Sequence, residues 1–250
     1  MQLRQIYRHP VKSLGTEALE TVPLAPGQPM PGDRRYAIAH ADSAFNADAP
    51  AWVSCRNFLR VANVPALSAV RLGFDPESET LRVDHDAAEP CEADLSTATG
   101  QADLLAWVAH FAEPVVPGPY RLAAVPGQSL TDSDQQVPSL MSLSSLRALS
   151  ARVGAELDPR RFRGNFWIDG DGPWAEMDWV GKEISLGSVR FKVLNPIERC
   201  LATAANPKTG RRDNDPLPAL RTLFGDPLFG MEIEIISGGP VQVGDTVTVL

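Results

Sequence analysis

Cys200 carries the most chemical potential in this chain, and its setting limits what it could do. It closes the segment Asn195-Pro-Ile-Glu-Arg-Cys200, directly after the apolar run Ile184 to Leu194. A thiol placed where a strand opens into a loop is reachable. The neighbouring Arg199 favours the thiolate, the form that attacks electrophiles and binds soft metals. The competing reading is a small apolar filler, since free cysteine is among the most buried residue types. Basic residues recur at other strand ends. Lys12-Ser13 follows His9-Pro10, Asp33-Arg34-Arg35 opens a second strand, and Arg163-Gly-Asn165 opens a third. Gathered at one mouth, they would form a cationic pocket for phosphate and the polar edge of a heterocycle, which guanidinium groups grip bidentately. Taken singly each reads as a surface charge, and spacing alone does not bring them together.

Other catalytic signatures are weak. There is no G-x-S-x-G, and the glycines form neither a P-loop nor a Rossmann fingerprint. His9, His40, His85 and His110 lack metal-ligand spacing and read as surface or satisfied residues. Glu176, Asp178 and Glu183 could serve as acid/base groups, although a solvated turn suits Glu183 better. Asp132 and Asp134 lie in a Ser/Thr/Gln-rich loop and read as makers of turn hydrogen bonds. Cys55, Cys91 and Cys200 include no C-x-x-C, so neither a zinc ribbon nor an iron–sulfur cluster is signalled. Their odd number fits a reducing compartment, with Cys55 and Cys91 structural.

At 250 residues the chain can bury one large core or two small ones. A net charge of −8 argues against broad polyanion or nucleic-acid binding. No apolar run approaches a membrane span, and Met1-Gln-Leu-Arg-Gln-Ile-Tyr lacks a signal-peptide core, so a cytoplasmic protein is expected.

The elements that must position these groups are mostly short strands, punctuated by 22 Pro and 19 Gly. In the first half the pattern predicts strands at Gln2–Tyr7, Arg34–His40, Ala66–Phe74 and Thr80–Val83, the last two as a hairpin. It predicts helices at Trp52–Val61 and Asp103–Phe111. Residues 112–139 read as a connector or a loop lining a site. In the second half it predicts a helix over Ser142–Val153 stopped by Gly154, a strand at Phe166–Asp169, and a hairpin of Glu183–Leu186 with Val189–Leu194. A short helix at Leu217–Phe224 follows, and Met231–Ile236 with Val241–Val249 forms a last hairpin. The class is mainly β with peripheral helices (α+β), as a barrel or sandwich.

Seven segments, in this order and spacing, carry a resemblance. They are Pro10-Val-Lys12-Ser13, Gly32-Asp33-Arg34, Arg161-Phe-Arg163-Gly-Asn165, Trp174-Ala-Glu176-Met-Asp178-Trp179, Arg199-Cys200, Thr209-Gly210 and Gly244-Asp245. Together they resemble the MOSC family, named for the C-terminal domain of molybdenum cofactor sulfurase, preceded by an N-terminal β-barrel-like domain as in amidoxime-reducing relatives. The resemblance implies a boundary between residues 1–115 and a MOSC barrel at 116–250. It implies a molybdenum cofactor (molybdenum–molybdopterin) with Cys200 as metal ligand. Lys12, Ser13, Arg34, Arg163, Asn165, Glu198 and Arg199 would surround the pterin and its phosphate, and Glu176, Asp178 and Thr209 would support them. Gly164, where the family usually has Pro, implies a looser turn, and Asn206 replaces a commoner Asp.

The activity implied is two-electron reduction of small N-hydroxylated substrates: hydroxylamino bases, amidoximes or N-oxides. No iron–sulfur cluster is expected in this chain, so electrons would come from a separate ferredoxin- or flavin-reductase-type partner. The alternative is sulfur transfer, with a Cys200 persulfide loaded by a cysteine desulfurase. Pyridoxal phosphate would then belong to that partner.

Overall fold

Period-two burial builds the largest sheet, and chain closure turns it into a barrel. The computed structural model describes every residue except Asp171. The chain begins with β1 (Gln2–Arg8), β2 (Glu17–Leu19), β3 (Thr21–Leu24) and β4 (Tyr36–Ala39). Next come β5 (Arg71–Asp75), β6 (Thr80–His85), β7 (Ala88–Asp94), helix α1 (Ala98–Ala112) and β8 (Arg121–Ala124). The second half runs β9 (Ser139–Ser142), α2 (Leu143–Val153), β10 (Phe166–Asp169), β11 (Glu183–Leu186) and β12 (Val189–Glu198). It closes with α3 (Leu217–Phe224), β13 (Leu228–Ile235), β14 (Gly239–Gln242) and β15 (Val247–Val249).

Eight strands pair in the order β15-β11-β12-β13-β9-β10-β1-β2. The start of β1 then bonds the segment before β15: Leu3 N donates to Asp245 O (2.9 Å), Gly244 N to Leu3 O (2.8 Å) and Val247 N to Met1 O (3.0 Å). This closure leaves neither β1 nor β15 as a bare edge, removing unpaired backbone groups that would otherwise need water or another chain. In β12, Val189, Phe191 and Val193 point inward while Arg190 and Lys192 face solvent. They meet Ile184, Leu186, Phe166, Ile168, Met231 and Ile233 in one core. On the other face, Trp167, Phe229, Met141 and Phe162 pack beneath α2 and α3 through Leu146, Leu149 and Leu220.

The first half supplies a separate core. The antiparallel sheet β5-β6-β7 packs against α1 through Phe74, Leu81, Val83, Leu104 and Val108. The ribbon β4–β8 is covered on both sides, with Ile38 in that core and Ala37, Ala39 and Ala123 in a smaller one beside Phe45 and Phe58. Strands β1 and β2 belong to the large sheet, and β3 pairs with β14.

Several expectations hold: Phe166–Asp169, Glu183–Leu186 and Leu217–Phe224 stand as read, and α2 starts one residue late because Ser142 caps it, accepting from Ser145 N at 3.2 Å. Others are corrected. Trp52–Val61 forms no α-helix, only a single 3-10 turn at Cys55–Asn57. Phe58 and Leu59 are buried in different cores, which extended backbone allows, and Leu59 N donates to Ile38 O (2.8 Å). Residues Pro65–Ala69 are a 3-10 turn, so the predicted strand shrinks to β5. The final hairpin is absent. Strand β13 lies between β12 and β9, β14 pairs with β3 and β15 with β11, because Gly244 (φ 95°) turns the chain between β14 and β15. Residues 112–139 include β8, and β7 carried too little apolar alternation to be read as a strand.

The neighbourhood of Gly164 is close-packed rather than loose. A Cβ on Gly164 would stand 2.3 Å from Met141 Cγ, and one on Gly230 would stand 2.2 Å from Met141 Sδ and 2.9 Å from Leu140 O. Met141 is wedged between these two glycines, which explains why a side chain is absent at both. Gly230→Ala, also strained by its φ of 76°, should therefore destabilise the fold by about 2 kcal/mol or more, roughly 4–8 °C in Tm for a chain of this size. Gly73→Ala, where a Cβ meets nothing within 4 Å, should stay within about 0.5 kcal/mol. Thermal unfolding of the two variants checks the contrast, and equal melting temperatures would refute it.

Candidate functional site

Strand ends bring the basic residues together. The end of β1 adjoins the start of β10 (Ile6 opposite Phe166), and β9 runs parallel to β10 with Leu140 opposite Phe166. The loops leaving or entering these strands carry Lys12, Ser13, Asp132, Arg163 and Asn165. Arg34 enters from the turn before β4 and donates through Nη2 to Arg163 O (2.6 Å) and through Nη1 to Asn165 Oδ1 (3.5 Å). Arg163 Nη1 donates to Gly15 O (2.7 Å), whereas its Nη2 is buried with no partner. Asn165 is buried and fixed: Nδ2 donates to Tyr7 O (3.1 Å), and Oδ1 accepts from the Ser139 amide and hydroxyl, both at 3.1 Å.

Backbone strain concentrates here. Six non-glycine residues among those described have positive φ, and Ser13 (69°), Arg34 (47°) and Arg163 (50°) are three of them. Such conformations cost of order 1 kcal/mol each and persist only where surroundings over-determine them, often at ligand sites.

The cations have internal counter-charges that the sequence reading underrated. Asp33 is buried, pairs with Arg34 and accepts from the His9 amide at 2.8 Å; His9 Nδ1 lies 3.3 Å from the same oxygen. Burial alone would raise the Asp33 pKa, but Arg34 and His9 outweigh it and hold the carboxyl well below its ordinary value. His9 is fully buried. Desolvation, then Arg34 and Arg163, push it down to about 3, so it is neutral at physiological pH despite Asp33. Lys12 is buried and pairs with Asp132, while its Nζ also donates to Leu130 O (2.7 Å). Burial lowers the Lys12 pKa against the pull of Asp132. Asp132 therefore makes an ion pair in the cluster and not merely a turn hydrogen bond.

Arg199 follows β12. Nε donates to Phe229 O (2.7 Å), Nη1 to Phe162 O (3.0 Å), and Nη2 to Met141 Sδ (3.3 Å). Burial pushes both Arg163 and Arg199 down to about 9, so each stays charged at neutral pH; Cys200 is the first group drawing Arg199 back up. The Arg199 fork is thus occupied by main-chain oxygens and a thioether and makes no hydrogen bond to the thiol. Cys200 itself is exposed and reduced, and its carbonyl accepts from the Thr203 hydroxyl (3.0 Å). Glu198 is exposed at the end of β12. Lys12, Arg34, Arg163 and Arg199, with Asp132, form one electrostatically coupled group beside the thiol.

Three expected supporting residues lie apart from the hydrogen bonds of this group. Glu176 is fully buried and accepts from Ser145 Oγ (2.8 Å), which in turn accepts from Trp174 N (2.7 Å); it fixes the Trp174 turn beneath α2. Asp178 is exposed. Thr209 is exposed in a loop docked on the first half, where a Cβ on Gly210 would stand 2.9 Å from Ala66 Cα. In the same loop Asn206 donates to Asp213 Oδ2 (2.6 Å), a bond an Asp could not make, and Asp213 also accepts from Arg161 (2.5 Å). Among the described residues no set of three or more His, Cys, Asp or Glu could hold a metal, and no helix is long and apolar enough to cross a membrane.

Comparison with known proteins places these features in context. Residues 1–114 match the family model of the MOSC N-terminal beta barrel domain, and residues 127–248 that of the MOSC domain. Molybdenum cofactor sulfurase of Drosophila ananassae is 34% identical over 142 residues, covering 52% of this chain but 18% of that protein. Mitochondrial amidoxime-reducing component 1 of Xenopus laevis is 31% identical over 120 residues, covering 43% of this chain and 34% of that one. The chain thus spans about a third or less of these relatives. The solved YuaD protein of Bacillus subtilis aligns over 98% of this chain and 93% of its own, at 12% identity and a TM-score of 0.46.

The His9–Asp33 pair sets a pH dependence. Both groups have folded pKa values below their unfolded ones, so the unfolded state binds more protons and stability falls with acidification. For His9 the loss begins near its unfolded value of about 6.5 and continues to about 3; for Asp33 it follows below about 4. We expect His9 to lower the denaturant-unfolding free energy by about 2 kcal/mol between pH 6.5 and 5, where Asp33 is ionised in both states. His9→Gln should flatten that upper window. A wild-type profile flat from pH 7 to 5 would contradict the buried neutral histidine.

Proposed function

Because the chain belongs to the MOSC family, we propose that its cationic mouth holds a molybdenum cofactor and that the protein is a reductase of small N-hydroxylated compounds. The observation supporting this most is the unfilled Nη2 donor of Arg163, buried within a group of cations beside an exposed thiol. A buried donor without a partner costs about 1–3 kcal/mol, which an incoming phosphate oxygen would recover. Arg34, Arg163 and Lys12 would bind the anionic end of such a group, and Asn165 keeps Arg34 and the start of β9 in register. Arg199, locked by Phe229 O, Phe162 O and Met141, keeps a fixed positive charge next to Cys200, the proposed soft ligand of molybdenum. When bound, the cofactor would supply two-electron redox chemistry, and the protein supplies grip and orientation. Glu198, exposed beside the thiol, would repel anionic substrates and favour neutral or cationic N–O compounds. Reducing equivalents would come from a separate ferredoxin- or flavin-reductase-type protein.

Sulfur transfer is the second reading, and the exposure of Cys200 together with similarity to sulfurases supports it. Cys200 would then carry a persulfide loaded by a pyridoxal-phosphate-dependent desulfurase. A phosphate-sized cationic pocket serves that role less directly.

Protein purified from a cofactor-producing host should contain near-stoichiometric molybdenum and pterin. Cys200→Ala should lower molybdenum about tenfold or more, and Arg163→Ala should lower pterin similarly. Metal and pterin analysis with amidoxime-reduction assays checks this. Absence of both from wild type, with a persulfide on Cys200, would replace reduction by sulfur transfer.

A further inference from the structure

Asp132 occupies a position that the cofactor-pocket reading does not require. Its carboxylate pairs with Lys12; desolvation would raise its pKa, but Lys12, then Arg34 and Arg163, outweigh that and lower it, so it stands as an anion among the cations of the mouth. The partners differ sharply in exposure: the Lys12 side chain is 7% exposed, that of Asp132 71%. Releasing the pair would therefore return Asp132 to water at small cost. It would leave Lys12 a buried charge with only Leu130 O as acceptor. The backbone under Asp132 is anchored independently. Ser129 Oγ donates to Asp33 O (2.6 Å), Leu130 N to Arg34 O (2.8 Å) and Trp52 Nε1 to Thr131 O (3.1 Å). These bonds hold the segment without using the carboxylate.

Building on the anion-binding reading above, we propose that Asp132 is a displaceable internal counter-anion: it neutralises Lys12 in the ligand-free protein and swings out when a phosphate group enters. The chain thereby avoids a bare cationic pocket before loading. It also discriminates against weak anions, since an incoming group must outcompete a tethered carboxylate. A doubly charged phosphate does so more readily than a singly charged carboxylate or chloride.

The test is calorimetric titration of the full chain with inorganic pyrophosphate at low and high salt, on wild type, Asp132→Asn and Lys12→Ala. The proposal requires Asp132→Asn to bind about five- to tenfold tighter than wild type at low salt, with the gap narrowing at high salt, and Lys12→Ala to bind more weakly. Equal or weaker binding by a folded Asp132→Asn, with wild type still binding, overturns the counter-anion role and leaves the cationic pocket standing. No binding by any form overturns this inference and the anion-pocket reading together. Repeating the titration on pterin-loaded protein identifies the phosphate. Lost pyrophosphate binding assigns displacement to the cofactor's phosphate, and retained binding assigns it to free phosphate; both uphold displacement.

Discussion

Gathering four cations at one barrel mouth is the constraint around which the rest of this structure is arranged. Burial, and then the charge of Arg34, lowers the pKa values of Lys12, Arg163 and Arg199. Fixed oxygens offset this. Carbonyls of Gly15, Leu130, Phe162, Arg163 and Phe229 each accept from one of these side chains, and Asp33 and Asp132 add full negative charge. Those oxygens come from both halves of the chain, so the site and the packing of the two halves support each other.

The backbone bears part of this arrangement. Ser13, Arg34 and Arg163 adopt left-handed conformations that only neighbouring contacts can hold. Arg34 shows how: its amide donates to His9 O, its carbonyl accepts from Leu130, and its guanidinium reaches Arg163 O. The Met141 wedge plays the same part for Arg199. Two glycines leave room for the thioether, and the thioether in turn meets the guanidinium. Rigidity here follows from close packing and from the fixed oxygens and thioether that these donors reach, Arg163 Nη2 excepted.

Legibility from sequence divided along the range of the interactions. The alternation in β10, β11 and β12, the capped helix α2 and the Gly-ended α3 are set by local patterns of burial and turn chemistry, so they could be read directly. The stretch Trp52–Val61 could not. Its apolar residues serve two cores at once, and the spacing that suggested a helix reflects burial on opposite sides of an extended chain. The hairpin expected at the end failed for a similar reason: β13, β14 and β15 each find partners far away in sequence.

The amino-acid sequence by itself determined the mainly β class, the thiol at the end of a strand, and the basic residues at successive strand ends. These follow from residue type and short-range spacing. Only the tertiary structure decided that Lys12, Arg34, Arg163 and Arg199 share one site, while Glu176 and Thr209 serve other contacts. Only the structure showed Asp132 and the His9–Asp33 pair to be electrostatic partners of that site. Charges more than a hundred residues apart, such as Lys12 and Asp132, leave no periodic trace in the chain, and the adjacency of β1, β10 and β9 is what brings their loops together.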